Sequence, residues 1–122
     1  MTKRTIPGAK YVPDRGHLVW LKFDPQAGRE QAGHRPALVL SPKAYNSKTN
    51  LAVVVPITSA VKGYPFEVRL PDGAKVAGAV LADQVRSLDF VAREAKLIAP
   101  APASVVAEVL AKLAALLQLD DA

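Results

Sequence analysis

The stretch HLVWLKF, residues 17–23, decides the fold of this chain. It is rich in β-forming residues, and the alternation of a strand places three apolar side chains on one face and Leu18 and Trp20 on the other. A strand that is apolar on both faces is typical of burial from two sides. We expect it to lie in a small barrel or against a second copy of the chain, with cover by a terminal helix as the competing explanation.

Four further stretches carry strand patterns. They are PALVLS (36–41), LAVVVPI (51–57), FEVRL (66–70) and VAGAVLADQVRSL (76–88). The polar stretch PKAYNSKTN is interpreted as a connection between the first two. Pro56 predicts an edge position or the end of pairing, because proline has no amide hydrogen to donate. The last stretch is interpreted as one long strand, in which Gly78 permits a bend or the close approach of a neighbouring strand.

The end of the chain has a different period. From Ser104 the apolar residues recur about every 3.6 positions, which predicts one amphipathic helix with Ser104 as its N-cap. Its apolar face is formed by Val106, Val109, Leu110, Leu113, Leu116 and Leu117. Short strands followed by a helix predict a mainly β fold with α, built as a small twisted sheet or half-open barrel that the helix covers on one side.

Length and composition predict one domain. Residues 1–13 contain two prolines, one glycine and no apolar period, so we expect a flexible basic arm followed by a single domain over residues 14–122. No apolar run is long enough to span a bilayer, and the first residues lack the apolar core of a signal peptide. Cysteine is absent, which is compatible with a reducing compartment. We therefore expect a cytoplasmic protein.

The net charge of +5 is unevenly distributed along the chain. Residues 1–62 hold 10 basic and 3 acidic residues, a balance of +7, whereas residues 63–122 hold 6 basic and 8 acidic residues, a balance of −2. A basic surface attracts polyanions over long distances. The basic half therefore predicts nucleic acid or an acidic protein segment as a partner, with simple solubility as the alternative.

The basic half contains a polar loop between two strand patterns. DPQAGREQAGHR, residues 24–35, has one proline and two glycines and carries Glu30 before it ends in His34 and Arg35. An acid, an imidazole and a guanidinium thus stand together just before an apolar strand. We interpret this group as a candidate functional cluster.

The ordered stretches together resemble the MazF/PemK ribonuclease toxins of bacterial toxin–antitoxin modules. The family's order and spacing are matched by YVPDRGHLVWLKFDP, EQAGHRPALVLSP, YNSKT, VPITS, KGYPFEV and VLADQVRSLD. The resemblance implies an SH3-like barrel, shared with the CcdB toxins, that forms a homodimer and cleaves single-stranded RNA without a metal or other cofactor. It also implies growth arrest through cleavage of messenger RNA, and an antitoxin whose disordered acidic tail blocks the basic RNA path.

The resemblance also assigns catalytic residues. The family's catalytic arginine corresponds to Arg35 in GHRP, and its catalytic threonine corresponds to Thr58 in VPITS. Cleavage without a metal requires the 2′-hydroxyl to lose a proton and attack the phosphorus, which leaves a 2′,3′-cyclic phosphate and a 5′-hydroxyl. A guanidinium donates two hydrogen bonds to phosphate oxygens and keeps its charge, so Arg35 is predicted to stabilise the developing negative charge. Thr58 is predicted to donate its hydroxyl to a non-bridging phosphate oxygen.

The general base stays open between two residues. His34 precedes the catalytic arginine, and histidine is suited to proton transfer near neutral pH. If the strand already includes residue 34, however, His34 faces away from Arg35. Glu30 corresponds to the family's loop acid and would accept the proton or hold Arg35 in position, with a solvated surface charge as the alternative.

Further residues are predicted to place the RNA. The candidates are Lys48, Lys62, Arg86 and Ser59 for phosphates, Gln84 and Asn46 for base edges, and Phe23, Tyr45 and Tyr64 for stacking. Aromatic residues at such positions also serve as core, so the prediction is for the group.

Two other functions remain as alternatives. A CcdB-like poison would bind DNA gyrase without catalysis, but that activity depends on a C-terminal Trp-Gly-Ile and this chain ends in LQLDDA. A nucleic-acid-binding barrel without cleavage would fit the basic half equally well. With two histidines and no cysteine the sequence predicts no metal site, and the absence of a P-loop pattern gives no indication of a nucleotide cofactor.

Overall fold

The structure, a computed structural model, describes residues 11–23 and 34–118. Within these ranges the chain forms seven strands and two helices. They are β1 (His17–Lys22), β2 (His34–Val39), α1 (Lys43–Thr49), β3 (Leu51–Thr58), β4 (Glu67–Arg69), β5 (Ala79–Leu81), β6 (Arg86–Asp89), β7 (Lys96–Pro100) and α2 (Ala103–Leu117). In this part of the chain neither helix is long and apolar enough to cross a membrane.

The strands form one antiparallel sheet. Its order is β4-β5-β3-β2-β1-β7, and β6 pairs with β3 beside β5. The end strands β4 and β7 do not pair with each other, so the sheet stays open within the described ranges. The predicted mainly β, small-barrel-like fold with a C-terminal helix is confirmed.

Alternate residues of the central strands pack into two separate cores. The helix-side core lies under α2 and includes Leu18, Leu38, Val55, Ile57, Val68, Val80, Val105 and Val109. The second core includes Val19, Leu21, Ala37, Val39, Ala52, Val54, Leu88 and Phe90. Strand β1 contributes to both cores, which explains why HLVWLKF is apolar on both faces without requiring a second copy of the chain. Trp20, by contrast, is 40% exposed.

The prediction that Pro56 ends the pairing or lies at an edge is wrong. Pro56 pairs with Ala37, and β3 continues to Thr58. On its other side β3 pairs with β6 as far as Val54 and with β5 from Ile57 onward. Pro56 therefore lies where β3 changes neighbours, a place at which a missing amide hydrogen is tolerated.

The structure differs from the sequence predictions in four further places. The predicted long strand over 76–88 is interrupted by a turn after Leu81 and forms β5 and β6, which pair with different parts of β3. The polar connection after β2 contains helix α1, and strand β7 was missed. Helix α2 begins at Ala103 with Pro102 in the N-cap position, so Ser104 is not the cap.

The first described residues pack onto the domain. Pro13 is fully buried, and the hydroxyl of Tyr11 lies 2.7 Å from Nδ1 of His17, with the two rings stacked at 5.8 Å between centroids. The predicted flexible arm thus overlaps a packed segment at residues 11–13. Residues 1–10 lie outside the described part, where the arm stays a prediction.

Candidate active site

A polar cluster lies where the second core ends. Because side chains alternate along a strand, Arg35 shares the face of Ala37 on β2, and Arg86 shares the face of Leu88 on β6. On β3, Thr58 shares the face of the buried residues Ala52 and Val54, because it follows them at an even number of positions. The face that is apolar in the middle of the sheet therefore becomes polar and cationic at its end.

Strand register brings the two predicted catalytic residues together. Ala37 pairs with Pro56 in the antiparallel ladder between β2 and β3. Extending this register by two residues sets Arg35 opposite Thr58, and residues opposite each other in such a pair point to the same face. Both side chains line one cavity of about 460 Å³, called here the main cavity.

Six predicted site residues line the main cavity. They are Phe23, Arg35, Thr58, Ser59, Gln84 and Arg86. The guanidinium carbon of Arg86 lies 5.3 Å from the centroid of the Phe23 ring, a distance at which a cation and an aromatic ring attract each other. The described lining includes two arginines and no carboxylate. Such a cavity favours an anion.

The backbone around Thr58 is held closely. Its Oγ1 accepts a hydrogen bond of 3.0 Å from the N–H of Ala60, and its backbone pairs with Ala79. Gly78 has a φ of 121°, and a Cβ at this position would lie 2.1 Å from the carbonyl oxygen of Thr58. The prediction of a close approach at Gly78 is therefore confirmed, and only glycine fits there.

A second cavity of about 470 Å³ adjoins the main one and is called here the side cavity. The two cavities share Thr58, Leu81 and Gln84. Lys62 and Tyr64 also line the side cavity, so the structure brings both of these predicted residues to the site. A ligand that is longer than the main cavity can therefore extend into the side cavity.

His34 lies away from this site. It is the first residue of β2 and points to the face opposite Arg35, where it lines a shallow depression with Trp20 and Lys96. Its Nε2 is 3.9 Å from Oε1 of Glu94. The structure therefore does not bring His34 to the main cavity, for the reason that alternation along a strand predicts.

Three predicted RNA contacts, Asn46, Lys48 and Tyr45, are also absent from the two cavities, and all three lie on α1. Asn46 is fully buried in α1, where its amide nitrogen donates to the carbonyls of Pro13 (2.8 Å) and Ser41 (3.0 Å) and its Oδ1 accepts from Ser41 Oγ (2.6 Å). The prediction that Asn46 reads base edges is wrong, because these bonds inside the fold occupy its side chain. Lys48 is exposed on the last turn of α1 and lines neither cavity. Glu30 lies outside the described residues.

Sequence reasoning missed two carboxylates beside the side cavity. Glu67 accepts hydrogen bonds from the backbone N–H groups of Lys62 and Gly63, and Asp83 accepts one from the hydroxyl of Tyr64. Nothing in the local sequence signals these contacts, since Glu67 bonds to the loop between β3 and β4, and Asp83, in the turn after β5, is 19 positions from Tyr64. Across 11–23 and 34–118 there is no group of three acidic or histidine side chains that could hold a metal ion.

The sequence of this chain matches a protein family and is similar to known proteins of that family. The family model described as PemK-like, MazF-like toxin of type II toxin–antitoxin system matches residues 14–117. The endoribonuclease toxin MazF of Escherichia coli K12 is 56% identical over 87 residues, which cover 71% of this chain and 78% of that protein. The endoribonuclease PemK of Escherichia coli is 39% identical over 118 residues, which cover 93% and 89%.

Solved structures show the same similarity. A crystal structure of MazF from Deinococcus radiodurans is 62% identical, with a TM-score of 0.80 over 88% of this chain and 98% of that one. A crystal structure of MazE-MazF from the same organism is 57% identical, with a TM-score of 0.79 over 88% and 96%.

Proposed function

The chain belongs to the family of PemK-like, MazF-like toxins of type II toxin–antitoxin systems, and we propose that it is an endoribonuclease whose reaction centre is the main cavity, with Arg35 and Thr58 as catalytic residues. The observation that carries this proposal is the position of these two residues on one face of neighbouring strands, at the wall of a cavity whose described lining has two arginines and no carboxylate. The named relatives are endoribonucleases, which favours cleavage over a gyrase-binding poison or a non-catalytic barrel.

The charges of the cavity suit phosphodiester cleavage. A phosphate group in the main cavity gains negative charge on its non-bridging oxygens as the 2′-hydroxyl attacks. Arg35 donates a fork of hydrogen bonds to these oxygens, and Thr58 donates its hydroxyl, so both interactions strengthen in the transition state. Arg86 supplies further positive charge beside the ring of Phe23.

Proton transfer requires a group besides Arg35, because a guanidinium stays protonated at physiological pH. His34 lies on the opposite face of β2, so it does not take this role. Glu30 is the remaining candidate from the sequence, as base or as the residue that orients Arg35. The 2′-oxygen gives up its proton to this base as it bonds to phosphorus and closes the 2′,3′-cyclic phosphate. The P–O5′ bond breaks, and the leaving 5′-oxygen takes a proton from water and becomes a hydroxyl.

The proposed setting is that of a toxin–antitoxin module. The partner is an acidic antitoxin with a disordered tail that binds the basic half of a toxin homodimer and blocks the RNA path, and the site of action is the cytoplasm. The charge balance of +7 over residues 1–62 supports an acidic partner, because opposite charges accelerate and orient association. The solved MazE-MazF complex from Deinococcus radiodurans supports a partner of this kind.

The test is a cleavage assay with purified protein in excess chelator. The substrates are an end-labelled single-stranded RNA of mixed sequence and the same sequence as DNA, which lacks the 2′-hydroxyl. We expect cleavage of the RNA alone, with 2′,3′-cyclic phosphate and 5′-hydroxyl ends. Cleavage of the DNA, ends that carry a 5′-phosphate, or a folded protein that cuts no RNA in a broad pool would each contradict the proposal.

A further inference from the structure

The side cavity is walled by a loop that is fixed at several points. The carboxylate of Glu67 accepts hydrogen bonds from the N–H of Lys62 at 3.1 and 3.2 Å and from the N–H of Gly63 at 2.8 Å. The ammonium of Lys112, on α2, donates to the carbonyl of Pro65 at 2.7 Å. A loop tied in this way is preformed, so a ligand that binds there does not have to order it.

Tyr64 lies between these ties and is held by its own contacts. Its hydroxyl donates to Oδ2 of Asp83 at 2.6 Å, and its ring packs against Phe66 with 6.1 Å between centroids. The hydrogen bond to Asp83, with the charge of that carboxylate, raises the pKa of the Tyr64 phenol, so the hydroxyl stays a donor. The residue is nevertheless 46% exposed. A large aromatic surface is thus fixed in orientation and open to solvent.

Asp83 makes this bond in an unfavourable setting. Its Oδ1 is buried and has no hydrogen-bond partner among the described residues. A buried carboxylate oxygen without a donor lowers stability, so its presence in a folded protein requires an explanation beyond packing. Orientation of the Tyr64 ring provides one.

We propose that the side cavity is a base subsite, in which the base of a nucleotide next to the cut bond stacks on Tyr64, and that Asp83 is the positioning residue that sets the angle of this ring. The proposal rests on the proposed ribonuclease function. The side cavity joins the main one at Thr58 and Gln84, so a strand whose phosphate lies at Arg35 places a neighbouring nucleotide there. Every base can stack on an aromatic ring, and the amide of Gln84 supplies hydrogen bonds to a base edge.

The test compares wild type with variants of the two residues on a randomised pool of single-stranded RNA, by kcat/KM and by base preference at each position around the cut. We expect Tyr64→Ala to lower kcat/KM by about tenfold or more and to flatten the preference at one position next to the cut. Tyr64→Phe keeps the ring but loses the hydrogen bond to Asp83. Its kcat/KM should therefore fall less than that of Tyr64→Ala, and chiefly through a higher KM. Asp83→Asn keeps an acceptor and should recover most of the loss that Asp83→Ala shows.

A matched control is available in Tyr45. It is 41% exposed, close to the 46% of Tyr64, but it lies on α1 and lines neither cavity. Tyr45→Ala should keep the wild-type rate and preference. A second readout uses RNA with a 2′-deoxy nucleotide at the cut and 2-aminopurine on either side. Stacking should quench this fluorophore with wild type and with Tyr45→Ala, but not with Tyr64→Ala.

The outcomes separate the subsite from the ribonuclease function. If Tyr64→Ala is folded and keeps both the wild-type base preference and the quenching of 2-aminopurine, the base subsite is excluded. If Tyr64→Ala does not fold, the test passes to Tyr64→Phe. A wild-type KM and base preference in Tyr64→Phe exclude the role of Asp83 in positioning the ring. If instead the wild type cuts no RNA, or Arg35→Ala cuts as fast as wild type, the proposed function fails, whatever the result at Tyr64.

Discussion

The guanidinium of Arg86 lies over the ring of Phe23, 5.3 Å from its centroid, and so fixes a positive charge in the wall of the main cavity. Arg35 lines the same cavity from β2. Two guanidinium groups in one recess create a local positive potential, which concentrates the phosphates of a single strand there.

Arg86→Ala should weaken RNA binding in a salt-dependent way. The logarithm of the RNA association constant falls linearly with the logarithm of the salt concentration, and the loss of one phosphate contact on a single-stranded RNA makes this slope shallower by about 0.7. The measurement is the affinity for an RNA with a 2′-deoxy nucleotide at the cut, over a range of salt concentrations. Arg69→Ala, in an exposed position of β4 outside both cavities, should leave the slope unchanged. An unchanged slope in Arg86→Ala would show that this residue does not contact phosphate.

Gly78→Ala should reduce both stability and cleavage, because a Cβ would lie 2.1 Å from the carbonyl oxygen of Thr58. We expect a loss of roughly 3–5 kcal/mol in the free energy of unfolding from the clash and the positive φ together, with a lower kcat in the fraction that stays folded. Gly73 also has a positive φ, 90°, but nothing within 4 Å of a Cβ. Gly73→Ala should therefore cost only about 1–2 kcal/mol and keep kcat. Urea unfolding measures the stability and cleavage assays measure kcat. Equal effects of Gly78→Ala and Gly73→Ala would show that position 78 does not approach the Thr58 carbonyl closely.

Asn46→Ala should destabilise the fold without altering cleavage by folded molecules. The substitution removes the donor to the buried carbonyls of Pro13 and Ser41 and the acceptor of the Ser41 hydroxyl, which costs on the order of 2–4 kcal/mol. Ser47→Ala, at the exposed neighbouring position, should change stability by less than about 0.5 kcal/mol. The measurements are urea unfolding and the base preference of cleavage. A changed base preference in Asn46→Ala would contradict this prediction and indicate that Asn46 contacts the bases of the RNA.

Asp14 should make stability depend on pH in the acid range. The backbone N–H groups of Lys43 (2.8 Å) and Arg15 (2.9 Å) hold the pKa of Asp14 below its ordinary value of 3.8. A lowered pKa in the folded state adds stability above pH 3.8, and this stability is lost as the pH falls through the folded pKa. Solvent screens this group, so Asp14→Asn should cost less than about 1 kcal/mol at neutral pH.

Urea unfolding as a function of pH tests this prediction. The difference between wild type and Asp14→Asn should shrink as the pH falls below 3.8. Asp72→Asn, in an exposed turn, serves as the control for the loss of a surface carboxylate. A difference for Asp14→Asn that stays constant down to the lowest pH would contradict the prediction.

Much of the fold could be predicted from local periodicity. Alternation identified the central strands, and a period near 3.6 identified α2. Positions where tertiary pairing decides the structure were missed. The split of the stretch 76–88 depends on which part of β3 each half pairs with, and α1 is a short polar helix whose only buried residue is Asn46. Neither feature has a periodic signal in the sequence.

The candidate site was predicted in part. The resemblance assigned Arg35 and Thr58, which line one cavity and whose catalytic roles are a proposal, and strand alternation indicated that His34 would face away if β2 included it. The roles of Asp83 and Glu67 could not be predicted, because each acts through a hydrogen bond formed only when the loop before β4 folds. Asn46 was misassigned because a buried amide and an amide that reads bases look alike in a sequence.

The most direct test of the central claim is the single-turnover rate of RNA cleavage by Arg35→Ala, measured beside wild type and Arg69→Ala. Loss of a donor to the developing negative charge should slow cleavage by about a hundredfold to a thousandfold, while Arg69→Ala keeps the wild-type rate. Arg35→Lys should recover little, because an ammonium does not reproduce the planar fork. A folded Arg35→Ala protein that cuts RNA at the wild-type rate would contradict the assignment of the main cavity as the reaction centre.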